Sequence, residues 1–215
     1  MSSFNLDEIW KFINGDFTNL DEDGKKENTS KVRQVAATTG AVACAIPNVP
    51  FADFFIITPI QALMVRAIGN IYGYKITEST AAEILTVIGG GWLGQQALLA
   101  AFRIGLPGAG GIVGSIFVYG WTYGMGKAAE VYFASNMTAS KEDLKRAREK
   151  GAREGEAVYK QNQGQDVERR KQIKGMQGQN FTKEQIIYAL WNVTTNDREE
   201  YRKAELEYMR LITKE

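Results

Sequence analysis

The chain has 215 residues with no histidine, one cysteine, four prolines and 22 glycines. With no imidazole and Cys44 as the lone thiol, histidine-activated nucleophiles, imidazole metal sites, zinc fingers and internal disulfides are all excluded. A net charge of +1 supplies no global field for nucleic acid, while 44% apolar content is enough for a core.

The average hides a segregation of charge. Residues 35–137 hold only Arg66, Lys75, Arg103 and Lys127 against Asp53, Glu78, Glu83 and Glu130. Three zones follow: 1–34, an amphipathic helix and polar loop; 35–137, an apolar glycine-rich helical core; and 138–215, a charged helical extension with a mobile connector. The chain does not open on a basic region followed by an apolar stretch, so a secretory leader is not expected.

In chain order, Asn5 and Glu8 form a capping box for a short helix whose Ile9, Trp10, Phe12 and Ile13 recur at helical spacing. That face either docks Trp10 on the core or lies on a membrane interface or partner. Gly15 to Ser30 is polar and reads as a loop, and its NLDEDG run lacks the spacing and closing Glu of a calcium loop. A helix of small residues should end before Pro47. The apolar helix beyond Pro50 carries Pro59 inside it, where the missing N–H predicts a kink near Phe55 and Ile56. Thr80 and Glu83 predict the cap of the next helix. The turn LPGAGG and the glycine-spaced IVGSIFVYGWTYGMGKAAEVYF follow. Ser140 and Asp143 start a helix that is polar on nearly every face, and QNQGQDVERRKQIKGMQGQN reads as the connector. Capping pairs Thr182/Gln185 and Asn196/Glu199 open two last helices, whose Ile186, Leu190, Leu206, Met209 and Ile212 need a partner surface on each other or on another chain. No strand alternation appears, so the expected fold is all-α: a glycine-rich helical bundle with an apolar helical hairpin.

There are 19 uncharged residues between Glu83 and Arg103 and 23 between Arg103 and Lys127. The first run would span ~28 Å as a helix, close to a hydrocarbon core of roughly 30 Å. Paired as a hairpin, the two arms would leave nearly every charge and both termini on the cytoplasmic side of the membrane. Gly90 and Gly94, Gly110 and Gly114, and Gly120 and Gly124 each sit four apart, the spacing of close-packed helices. A hairpin buried in a soluble cytoplasmic core fits the same composition, because Gln95 and Gln96 fall mid-arm.

Chemistry is sparse. The nearest approach to a phosphate-cradling loop, around Gly120, Gly124, Gly126 and Lys127, has Trp121 where glycine is needed and Ala128 where a hydroxyl is needed. Asp53 and Arg66 are charges within an apolar helix and require partners: Arg66, Arg103 or Lys127 for Asp53, or a helix end that Asp53 caps. Gln61 lies eight residues beyond Asp53, near the same face. No paired-carboxylate motif separates from surface charge, so no catalytic residue, metal or cofactor is expected and the chain reads as not an enzyme.

Pro47, Pro50, Asp53, Pro59, Gln61, Met64 and the Tyr72–Gly73 pair, with IGLPGAGGIVGS and GKAAEVYF later, resemble the bacterial domain of unknown function 697 family over residues 33–137. That family is often fused behind Era-like GTPase domains or found in YcjF-type inner-membrane proteins. The resemblance implies a helical domain that associates with membrane lipid and works with a GTPase, here in trans because no GTPase domain is present. The leading expectation is a non-enzymatic, membrane-associated anchor or assembly protein that forms homo-oligomers. The alternatives are a conditionally inserting membrane-remodelling or pore-forming protein, and a soluble bundle holding a lipid or other apolar ligand.

Overall fold

A computed structural model describes residues 6–44, 52–90 and 112–213, with side chains over 6–42, 57–90 and 115–213. Every regular element among them is a helix: α1 Leu6–Asn14, α2 Glu22–Cys44, α3 Ala52–Ile71, α4 Glu78–Ile88, α5 Ile112–Ala134, α6 Lys141–Gly178, α7 Lys183–Trp191 and α8 Arg198–Thr213. The all-α expectation holds. The chain divides into two compact units, Met1–Tyr159 and Lys160–Glu215.

In the first unit α2, α3 and α5 bury one another. Val32 and Ala36 of α2, Met64 and Ile68 of α3, and Ala129 and Phe133 of α5 share a core that Ile84 and Ile88 of α4 complete. α2 begins well inside the segment expected to be a loop. The Asp21 carboxylate accepts from the Gly24 amide at 2.7 Å and starts the helix. Charge pairs Glu22–Lys25, Asp23–Lys26 and Glu27–Lys31, spaced three or four apart, then run along its first turns. Polar composition had concealed a helical charge register. Similarly, α4 is capped by Thr77, whose hydroxyl accepts from the Thr80 amide, three residues before the expected cap. α3 runs through Pro59, which is exposed, so its ring meets solvent rather than a packed neighbour, while the expected kink near Phe55 and Ile56 falls outside the described side chains.

α1 has nine residues, too few to hold a helix alone in water, so docking decides whether it forms. Its fully buried anchor is Ile9; Trp10, the expected anchor, is 40% exposed and lies over the Arg66 guanidinium at 5.6 Å. The Asn70 side-chain amide of α3 donates to the carbonyls of Phe12 and Gly15 at 3.0 and 2.9 Å, satisfying the open C-terminal end of α1.

α5 ends in two consecutive left-handed residues, Asn136 and Met137. The Met137 amide donates to the Tyr132 carbonyl at 2.8 Å, and the Tyr74 hydroxyl bonds the Asn136 side chain. Ser140 then caps α6 through the Asp143 amide, which closes a short helical hairpin.

α6 continues to Gly178, so the stretch expected to be a connector is helical. Ion pairs and burial in the second unit account for its C-terminal part. Asp166 and Arg169 bond Arg210 and Glu207 of α8, and Ile173 is buried with Ile186, Ile187, Tyr208 and Leu211. Thr182 and Gln185 form the expected capping box of α7. The Trp191 indole N–H donates to Glu207.

Replacing Asn70 with alanine should cost about 1–3 kcal/mol, because two half-buried carbonyls at the end of α1 lose their donor. Hydrogen exchange should accelerate at the α1 amides and stay unchanged at those of α7. Unaltered protection of α1 would show that Ile9 alone holds the helix.

Candidate functional site

Two features dominate the interior of the first unit: a buried ion pair and a glycine contact. Arg33 of α2 and Glu130 of α5 are both buried and form a direct salt bridge, joined by Lys127 at 3.1 Å from the same carboxylate oxygen. The Arg33 guanidinium also lies 5.1 Å from the centre of the Tyr123 ring. Gly126 makes this possible: a Cβ there would stand 2.5 Å from Arg33 Cγ and 2.9 Å from Met64 Sδ. Burial pushes the nearby Tyr72 hydroxyl up to about 12, and the Glu130 and Glu22 carboxylates push the same way. Arg33 and Glu130 neutralise each other inside the core while Lys127, partly exposed, joins from its edge, an arrangement suited to fixing helices.

On another face of α5, Gly120 and Gly124 meet Gly151 and Gly155 of the antiparallel α6. A Cβ on Gly124 would fall 2.5 Å from the Arg148 carbonyl, and one on Gly151 would fall 3.0 Å from Gly124 Cα. A Cβ on Gly155 would be 3.1 Å from Gly120 Cα. The two helices touch backbone to backbone. From the same turn of α6, Arg148 donates to the Ile88 carbonyl at the end of α4 and covers the Trp121 ring. Beyond it, Tyr119, Tyr123 and Tyr159 close over Ala37 and Ala41.

The expected site residues divide sharply. Gly120 and Gly124 do mediate a close helix contact, with α6 as the partner. Gly90 does not: it sits after α4 with φ of 88° and ends the helix instead of lining one. Gln61 is buried and donates to the Thr122 hydroxyl at 3.1 Å. Arg66 stacks on Trp10 and Lys127 bonds Glu130, so each is engaged with a residue other than Asp53. Asp53 and Gly114 belong to α3 and α5, but their surroundings lie outside the described side chains. Gly94, Arg103 and Gly110 lie outside the described residues.

Among the described residues no helix is long and apolar enough to cross a membrane. Of the first expected arm the structure describes only the part up to Gly90, where α4 ends at Ile88, and the rest lies outside the described residues. Of the second, residues 112–126 form the glycine-diluted first part of a helix, α5, that runs on through Lys127 and Glu130, and the residues before them lie outside the described residues. The transmembrane hairpin and the membrane localisation thus have no helix behind them among these residues. The sequence reading did not single out Arg33, Gly151 or Gly155, and took Gly126 only as part of a failed phosphate loop; Glu130, with Lys127 the only other charge near it in an apolar stretch, was the signal that pointed to a buried partner.

The family model described as domain of unknown function (DUF697) matches residues 18–154, from the turn before α2 into the first half of α6. No curated protein and no solved structure matches the chain.

Three variants test this interior. Glu130→Gln strands a buried guanidinium and should lower stability by about 3–5 kcal/mol in urea titration, while the apolar pair Arg33→Met with Glu130→Leu should restore most of the loss. Gly124→Ala places a methyl against the α6 backbone and should cost about 1–3 kcal/mol in the same assay; a neutral result would mean that the helices part freely.

Proposed function

We propose, since the chain belongs to the DUF697 family through residues 18–154, that it is a non-enzymatic helical assembly protein that works by binding a protein partner. In this reading the first unit is a tightly packed body and α8 presents the recognition surface. The observation behind it is that α8 is apolar on two sides. Ala204, Tyr208 and Leu211 are buried in the second unit, whereas Leu206 and Met209 point away from that core at 64% and 45% exposure. The buried Arg33–Glu130 pair supports a structural role, because the carboxylate is bound by Arg33 and by Lys127.

The partner class is a GTPase supplied in trans, which follows from the family resemblance. Membrane insertion is left out of this reading, because no described helix supports it.

Sedimentation velocity of the full chain with an Era-like GTPase domain, loaded with GTP or with GDP, tests the proposal. Co-sedimentation that depends on the nucleotide is expected, and Leu206→Asp with Met209→Asp should weaken it at least about tenfold while leaving the melting temperature in place. A chain that self-associates through the same residues and ignores the GTPase would make a second copy the partner and overturn the GTPase assignment. A monomer that binds nothing would overturn the assembly role itself.

A further inference from the structure

We propose that α6 contains a joint at residues 160–165, where the helix opens locally while the structure on either side stays folded. Its glycines are of two kinds. Gly151 and Gly155 are required by the contact with α5, but a Cβ on Gly164 would meet nothing within 4 Å. Glycine at an open helix position weakens the helix and gains no packing in return.

The surroundings of Gly164 sharpen the point. The six residues KQNQGQ include no buried side chain. Asn162 adds a second poor helix former two residues away. Immediately before the stretch, the Tyr159 ring packs on Tyr119 at 5.2 Å and Val158 joins the same cluster. Immediately after it, Asp166 accepts two bonds from Arg210, at 2.6 and 2.8 Å, and Arg169 bonds Glu207. The helix is therefore pinned up to Tyr159 and again from Asp166. Between these pins no buried side chain holds it. The division of the chain into two compact units falls at Tyr159 and Lys160, the edge of this same stretch.

Opening there breaks the helix's own backbone hydrogen bonds and exposes no buried side chain, which marks a low-stability segment. It also lets each unit unfold and refold without forcing the other to do so, a property beyond the partner binding proposed above.

Native-state hydrogen exchange of the full chain, read by peptide mass spectrometry, provides the test. Amides of 160–165 should exchange on the order of 100-fold faster than those of 147–158 and 169–176. Gly164→Ala should slow exchange about fivefold within the stretch and nowhere else. Gly164→Pro should leave the thermal transitions of both units unchanged, because it removes a backbone bond only where the helix already opens. Protection of 160–165 equal to that of the flanks would overturn the joint. So would a lowered midpoint for either unit in Gly164→Pro.

Discussion

Backbone contact between α5 and α6 is the constraint on which the first unit depends. Gly124 and Gly151 have no side chains to hold the helices apart, and a methyl on Gly124 would collide with the Arg148 carbonyl at 2.5 Å. Once α6 lies that close, Arg148 reaches the Ile88 carbonyl and closes the end of α4. Two residues along α5 from Gly124, on a different side of the helix, Gly126 opens the space for the stem of Arg33. α5 thus receives α6 on one side and α2 on another, and each approach requires a glycine at a defined position.

The ion pair adds direction to this packing. An apolar pair of similar volume would fill the same space at comparable stability. What Arg33 and Glu130 supply is a penalty on any other register of α2 against α5, since each would then bury a charge without its partner. The small residues of α2, Ala36, Ala37, Gly40 and Ala41, would otherwise tolerate several sliding positions. Tyr123 and Lys127, which contact the same two charges, narrow the choice further.

What the sequence reveals depends on the distance over which the cause acts. Thr182 and Gln185 cap α7 as expected, because a capping box is complete within four residues. The start of α2 was hidden by its own polarity, since Glu22, Asp23 and Glu27 look like a loop until they are paired with lysines three and four positions on. The spacing of Gly120 and Gly124 announces a close contact, but the answering Gly151 and Gly155 sit among Arg, Glu and Lys and look like surface. Arg33 and Glu130 are 97 residues apart, beyond the reach of any local pattern. The apolar arms were equally suited to a bilayer or a protein core; of their described residues, Ile84 and Ile88 of the first and Met125 of the second lie in a protein core. For the charged third zone, composition suggested a helix polar on nearly every face, whereas α6 packs through Gly151 and Gly155 on the backbone of α5.

The separation of the ion pair along the chain has a consequence for synthesis. At about 5–20 residues per second, Glu130 leaves the ribosome roughly 5–20 s after Arg33. Throughout that interval α2 can exist only with its arginine solvated, because the carboxylate that makes burial tolerable has not yet been made. The α5–α6 hairpin waits much less: Gly151 follows Gly124 by only 27 residues. The last helices of the first unit therefore meet soon after they are made, and the older α2 is sealed against them only after Glu130 arrives. The nascent chain must keep its apolar middle from premature association until one carboxylate, well past the midpoint of the sequence, emerges to complete the core.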